Sequence, residues 1–335
     1  MGGDDHSSIH IPILRYIQKV PGGLMTVFFL AGSLVNTFVP SFLEIGSFTT
    51  GLFKEGAVPL IGLVLFCSGS QISFARSGIA LYKGSLLLGT KVLIGIAAGS
   101  AASVLVVTGG SFLSIHPITV ITVLACGNGG LYMALAERYG DEADVASGAL
   151  VMLSASPFFV FIGASITGLA QISILDIIAV ITPVVIGMVL GNLDGEFREF
   201  LKPGIRLSIP FFSFALGANI SLQDIVTAGF QGALLAVLTV LLTGLGLAGI
   251  YALLVPSRWR RTNAVAAGIG NTAGSAVIVP ALVGMIDHSF QPYVVLATAQ
   301  VGASAILTAV LCPVLVRYIY VRESQRKADQ EGIYL

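Results

Sequence analysis

Charge is what this chain has least of: 10% of its 335 residues are Asp, Glu, Lys or Arg, against about a quarter in an average soluble domain. Seventeen basic and seventeen acidic residues cancel, so net charge points to no nucleic acid and no anionic membrane surface. Cysteine is scarce too. Cys67, Cys126 and Cys312 stand apart in apolar runs without CxxC or zinc spacing, which excludes a disulfide framework and a thiolate metal site. There is no HExxH, no GxSxG and no pair of carboxylates within an apolar run, and His116 and His288 fall between runs. An intramembrane enzyme is left without residues to act, and no cofactor, catalytic residue or metal ligand is called for. The opening MGGDDH has His6 where a myristoylation signal requires Ser or Thr, and no charged segment precedes an apolar core as in a cleaved leader.

Apolar residues make up 55% of the chain, with a mean hydropathy of +0.93 and 40 glycines. A bilayer core of about 30 Å takes about 20 apolar residues per helix, and that length fits ten candidate spans: 22–39, 56–74, 83–107, 117–136, 145–169, 175–193, 206–220, 225–254, 263–286 and 292–318. With these spans, fifteen of the seventeen Lys and Arg residues fall on one side. Lys54 alone faces the other side, and Lys91 lies within the third span. So lopsided a distribution supports an even number of spans with both termini in the cytoplasm.

Within these spans the glycines recur in pairs. Gly127-Asn128 in the fourth and Gly270-Asn271 in the ninth are offset by 143 (270 − 127). GSQISF, from Gly69, and GANISL, from Gly217, are offset by 148 (217 − 69) at the ends of the second and seventh. The chain therefore reads as two five-helix repeats, 22–169 and 175–318, flanked by cytoplasmic segments 1–21 and 319–335. An odd count per repeat inverts the second, an arrangement that suits alternating access to a central site.

Helix breakers at mid-membrane survive only inside protein or beside a wet cavity. Unwinding the fourth and ninth helices frees N–H groups and positive half-helix ends for an anion, and amides for hydroxyls. Lys91, about 12 Å along the helix from Lys83, would sit near mid-bilayer facing the interior with a partner. The alternatives are close packing at the glycines and snorkelling of the lysine. Candidate substrate contacts are Lys91, Gly127, Asn128, Gly129, Gly130, Asn271, Thr272, Gly274 and Ser275. Candidate coupling-ion contacts are the neutral polar residues Ser156, Gln71, Asn219, Gln300 and Ser304. No Asp or Glu lies near the centre of a span, so no carboxylate proton relay is visible.

KVPGGLM (Lys19 to Met25), GSFT (Gly46 to Thr49), NGGLY (Asn128 to Tyr132), LGNLDGEFREF (Leu190 to Phe200) and IPFFSFALG (Ile209 to Gly217) resemble the 2-keto-3-deoxygluconate permease family, and the resemblance runs from about Tyr16 to Arg317. It implies a transporter of the bile-acid/sodium-symporter-like kind: an all-α polytopic membrane protein of ten transmembrane helices in two inverted repeats. Broken crossing helices 4 and 9 would lie in a core domain, 83–169 plus 225–318, packed on a panel domain, 22–75 plus 175–222. The resemblance further implies import of 2-keto-3-deoxygluconate, a small anionic sugar acid, with protons across a bacterial inner membrane. The lysine of the third span matches the family at Lys91, while the acidic residues that members carry before NGG and in the next span are replaced here by Ala125-Cys126-Gly127 and Ser154-Ala155-Ser156. Neutral ligands would instead suit sodium, so a sodium-coupled carrier of another organic anion stays open beside proton symport, as do a passive channel or receptor and a homodimer.

Overall fold

The computed structural model describes residues 12–20, 23–72, 78–107 and 113–331. Expectations for the first eleven residues, for Phe74 and Arg76, and for the last four residues lie outside them. A short α1 (Ile13–Lys19) leads into α2 (Gly23–Phe38), a 3-10 turn (Pro40–Glu44), α3 (Ser47–Phe53) and α4 (Ala57–Ser70), bent by 58° at the α3–α4 junction. α5 (Gly78–Val107) is an unbroken rod. Cys126, Gly127 and Asn128 then separate α6 (Pro117–Ala125) from α7 (Gly129–Tyr139), and α8 (Glu142–Val151) passes through a 3-10 turn before a 59° bend into α9 (Phe158–Ile166). The chain continues as α10 (Ile174–Leu193), α11 (Gly195–Gly217) and α12 (Leu222–Thr239), then through a π turn (Val240–Leu245) into α13 (Gly246–Leu254). α14 (Ala264–Ala267) unwinds, a 3-10 turn (Gly274–Ile278) starts α15 (Val279–Ile286), and α16 (Val294–Glu331) ends the fold.

Among the described residues there is no strand, and five helices are long and apolar enough to cross a bilayer, or seven if each bent pair counts as one. This is a polytopic membrane protein. Local chemistry explains where the helices begin. Asp141 with Asp144, Ser173 with Asp176, and Ser221 with Asp224 form reciprocal capping boxes at α8, α10 and α12. Each satisfies two otherwise orphaned N–H groups, a contribution of about 1 kcal/mol per cap.

Several expected boundaries move, each for a physical reason. The third span begins at Gly78, five residues before Lys83, so Lys83 lies inside the helix and is fully buried rather than at its mouth. The seventh runs over Gly195–Gly217 because the Asp194 carboxylate accepts from the N–H groups of Glu196 and Phe197, starting a helix eleven residues before Arg206. The fifth is not straight: Ser154 bonds the Val151 carbonyl at 2.6 Å and Pro157 follows, which places the bend. The tenth continues through the presumed tail to Glu331, and Glu323 docks back, accepting from Asn263 Nδ2 at 2.6 Å and from the Thr262 hydroxyl.

Two groups of helices pack tightly within themselves: α2, α4, α10 and α11, and α5 to α9 with α12 to α16. In the first group, glycines let backbones touch. A Cβ at Gly217 would strike the Phe29 carbonyl and one at Gly32 the Phe214 carbonyl; Gly69 likewise meets Val184, and Gly187 meets Phe66. These contacts correspond pairwise, with Gly69 and Phe66 offset from Gly217 and Phe214 by 148 (217 − 69; 214 − 66) and Gly32 and Phe29 from Gly187 and Val184 by 155 (187 − 32; 184 − 29). Close carbonyl-to-glycine approach is how helices associate where lipid removes the hydrophobic drive.

The second group holds a buried ionic cluster. Lys83 Nζ bonds Asp141 at 2.8 and 2.9 Å and Asp144 Oδ1 at 2.8 Å, and the Tyr251 hydroxyl donates to the same Asp144 oxygen at 2.7 Å. The cluster ties α5 to α8 and α13. Burial acts to raise the Asp141 carboxyl, but the Lys83 ammonium and the Asp144 N–H outweigh it and hold it below the usual carboxylate range. Removing one member strands a charge: Lys83→Met is predicted to cost about 3 to 5 kcal/mol, read as a lowered midpoint of thermal unfolding in detergent. Lys83→Met combined with Asp144→Leu should recover part of that loss.

Candidate functional site

The breaks expected at Gly127-Asn128 and Gly270-Asn271 meet each other. Asn128 N–H donates to Asn271 Oδ1, and Ala273 N–H donates to the Cys126 carbonyl at 3.1 Å, so each unwound strand answers the other's free backbone groups. The Asn271 amide is consumed in the process: its Nδ2 donates to the Gly268 carbonyl at 2.7 Å, and the residue is buried. Gly270 must be glycine, because a Cβ there would strike the backbone of Gly244 in the π turn. Gly127 is equally crowded, between Ser154 Oγ and Lys91 Cε; its N–H donates to the Ser154 carbonyl at 3.1 Å and its carbonyl accepts from the Ser154 hydroxyl at 3.2 Å.

Beside this crossing lies a cavity of about 430 Å³, a size typical of small-molecule sites. One wall carries Met25 and Thr26 of α2, Ser68 of α4, and Ile205, Ile209 and Phe212 of α11; the other carries Asn128, Gly129, Gly130, Met152, Thr272, Gly274, Ser275 and Ala305. The first wall thus comes from one packed group and the second from the other. Two helix starts face this space. Asn128 Oδ1 caps α7 by accepting from Leu131 N at 3.1 Å, which leaves the N–H groups of Gly129 and Gly130 without partners among the described residues, as Gly274 and Ser275 N–H are at the start of the 3-10 turn. Four donors and two positive helix ends around one opening suit an anion. The hydroxyls of Thr26 and Ser68 and the Asn128 Nδ2 have no other partner among the described residues and suit hydroxyl groups.

Of the nine expected substrate contacts, the structure places Asn128, Gly129, Gly130, Thr272, Gly274 and Ser275 on the cavity. Gly127, Asn271 and Lys91 stand behind it. Lys91 is fully buried, neither snorkelling nor paired with a carboxylate; its Nζ donates to the carbonyls of Ile269 and Asn271, both at 3.0 Å, and lies 3.4 Å from Thr243 Oγ1. Thr272 is largely committed, to the Val123 carbonyl at 3.0 Å and to Ser304 at 3.1 Å, while Ser275 bonds the Ala155 carbonyl at 2.7 Å.

The expected ion contacts do not assemble into one place. Ser304 touches Thr272, and Ser156 caps the start of α9 through Phe158 N. Gln71 holds the Arg198 carbonyl at 2.9 Å, Asn219 holds the Lys54 carbonyl at 2.9 Å, and Gln300 reaches the Ser114 carbonyl at 3.3 Å, all away from the crossing. These are bonds that tie segments together. Sequence reasoning did not reach Thr26, Ser68, Met152, Phe212 or Thr243, because isolated residues of these types carry no signal before the helices are assembled.

The family model described as 2-keto-3-deoxygluconate permease matches residues 14–325. A relative named 2-keto-3-deoxygluconate permease 1 from Salmonella typhimurium is 40% identical over 95% of this chain and 98% of its own length. Relatives named 2-keto-3-deoxygluconate permease from Xanthomonas oryzae and Escherichia coli O157:H7 are 34% and 33% identical, over 92% and 90% of this chain and 98% and 93% of theirs. These are transport proteins, not enzymes. A crossing of two broken helices beside a cavity rich in free donors is a carrier's arrangement, and with a family match over nearly its whole length the chain belongs to the 2-keto-3-deoxygluconate permease family.

Proposed function

We propose that this protein is a secondary active transporter that imports 2-keto-3-deoxygluconate with protons across a bacterial inner membrane. The observation that carries the reading is the set of four unpartnered N–H groups, on Gly129, Gly130, Gly274 and Ser275, around one cavity. A carboxylate placed there receives fixed donors and two helix-end dipoles with little cost of reorganisation. The sugar-acid hydroxyls meet Asn128 Nδ2, Thr26 and Ser68, and the carbon chain lies on Met25, Met152 and Phe212.

The ten spans form two inverted five-helix repeats, supported by the paired glycine contacts and by the recurrence of the broken segments. α2, α4, α10 and α11 act as the panel, and the crossing with α5, α8, α9, α12, α13 and α16 as the core. Because the cavity is walled by both, a small movement of core against panel opens it to one side and closes it to the other. Both termini lie in the cytoplasm, by the sidedness of Lys and Arg.

Purified protein in liposomes should accumulate labelled 2-keto-3-deoxygluconate under an inward proton gradient, with collapse on addition of a protonophore. No uptake of any sugar acid under either a proton or a sodium gradient overturns the assignment. Two glycine variants separate binding from folding. Gly130 has only Asn128 Oδ1 near its missing Cβ, at 3.3 Å, so Gly130→Leu should insert and fold normally yet lower uptake at least about tenfold by filling the anion site. Gly129→Ala meets the Met152 backbone at 2.6 Å and should destabilise the protein by about 1 to 3 kcal/mol, seen as a lower unfolding temperature.

A further inference from the structure

The geometry points to the Lys91 amine as the group that carries the coupling proton, an inference that rests on the proton-symport reading above. Among the described residues, Lys91 Nζ is surrounded by neutral oxygens only: the carbonyls of Ile269 and Asn271 at 3.0 Å and the Thr243 hydroxyl at 3.4 Å. Thr243 Oγ1 donates its own proton to the Thr239 carbonyl at 2.7 Å, so it can only accept from Lys91. Three acceptors match the three N–H bonds of an ammonium. Carbonyls of an unwound transmembrane segment, backed by a hydroxyl from a π turn, are the donor set with which carriers hold a coupling cation. Here a tethered cation fills it.

The same few residues connect that cation to the cavity. The Asn271 carbonyl accepts a hydrogen bond from Lys91, the Asn271 side chain accepts from Asn128 N–H, and Thr272 and Gly274 line the cavity. A neutral amine has two N–H bonds and a lone pair, which repels one of the carbonyls it now holds, so losing the proton loosens the 269–271 segment. Binding of a carboxylate at the half-helix ends and protonation of Lys91 therefore favour the same arrangement of one segment, which is what coupling between two sites requires. In each cycle the amine nitrogen takes one proton from water on the outer side and returns it to cytoplasmic water, with no other bond made or broken. An ammonium that crosses with a carboxylate, and an amine that returns alone, both spare the bilayer interior an unbalanced charge.

Neighbouring groups leave Lys91 this role. The titratable groups facing it are the thiols of Cys126, at the end of α6, and Cys312, on α16. On its own helix Lys83 is held by Asp141 and Asp144 of the α8 cap, and on α13 Tyr251 bonds Asp144. On α7, Tyr132 bonds Ser147 at 2.8 Å. At the far end of α6, burial pushes the His116 imidazole down to about 4, so it stays a neutral acceptor for Ile118 N–H.

The test compares wild type and Lys91→Gln, whose amide can still donate to the carbonyls but cannot titrate, in proteoliposomes with labelled 2-keto-3-deoxygluconate. Counterflow exchange without a gradient reads binding and movement; accumulation under an imposed pH gradient reads coupling. Lys91→Gln should keep exchange within about threefold of wild type and lose at least tenfold in pH-driven accumulation. In detergent, wild type should take up protons on binding the sugar acid, measured with a pH indicator in weak buffer, and Lys91→Gln should not. Wild-type accumulation by the variant overturns the inference, and so does loss of exchange together with accumulation, since Lys91 would then only hold the fold. A wild-type protein that exchanges the sugar acid but ignores the pH gradient overturns proton symport itself.

Discussion

The structure depends on how two interrupted helices satisfy their backbones in a place where water is absent. An unpaired N–H or C=O in hydrocarbon costs several kcal/mol, and each break leaves several such groups. The two strands resolve this jointly, Asn128 N–H with Asn271 Oδ1 and Ala273 N–H with the Cys126 carbonyl. The groups that could not be paired across the crossing fall into two sets. Carbonyls of Ile269 and Asn271 point to Lys91, and the N–H groups of Gly129, Gly130, Gly274 and Ser275 face the cavity. A helix that unwinds separates donors from acceptors, so the carbonyls that hold Lys91 and the N–H groups at the cavity are two consequences of the same break.

This division also explains why asparagine occupies both break positions although its two copies do different work. Asn271 is buried, with both ends of its amide bonded to backbone. Asn128 turns its Oδ1 to cap α7 and keeps its Nδ2 for the cavity. Sequence alone treats the two as equivalent, since both follow a glycine in related segments. Their difference lies in their surroundings: Asn271 is enclosed by backbone groups, and Asn128 stands at the edge of the cavity.

What was legible in the sequence is what recurs or what is costly. The Gly127-Asn128 and Gly270-Asn271 breaks were legible because lipid forbids such residues without a purpose, and Lys91 because a mid-span ammonium has to find oxygens. The extension of α11 to Gly195 was hidden by Glu196, Arg198, Glu199 and Lys202, charges that hydropathy assigns to a loop but that sit on an exposed turn capped by Asp194. The π turn at Val240–Leu245 left no mark, because its residues differ little from their neighbours. Neither did the docking of Glu323 on Asn263, a contact between segments 60 residues apart. The cavity's first wall was illegible for a related reason: Thr26, Ser68 and Phe212 become a surface only once α2, α4 and α11 have packed through their glycines.

Two buried lysines on one helix show how far partners decide a role. Lys83 meets two carboxylates, one of which also accepts from the Tyr251 hydroxyl, so its charge is answered locally and its removal strands buried negative charge. Lys91, two turns further on, meets only neutral oxygens, so its charge has no fixed counterpart in the described protein. An ion pair that is complete in itself favours one arrangement and resists change. A cation without an anion is stable only while its carbonyl cradle holds. The contrast places rigidity at the Lys83 end of α5 and responsiveness at the crossing, where the chain can least tolerate an unpaired group and so has most to gain from a ligand that supplies the complement.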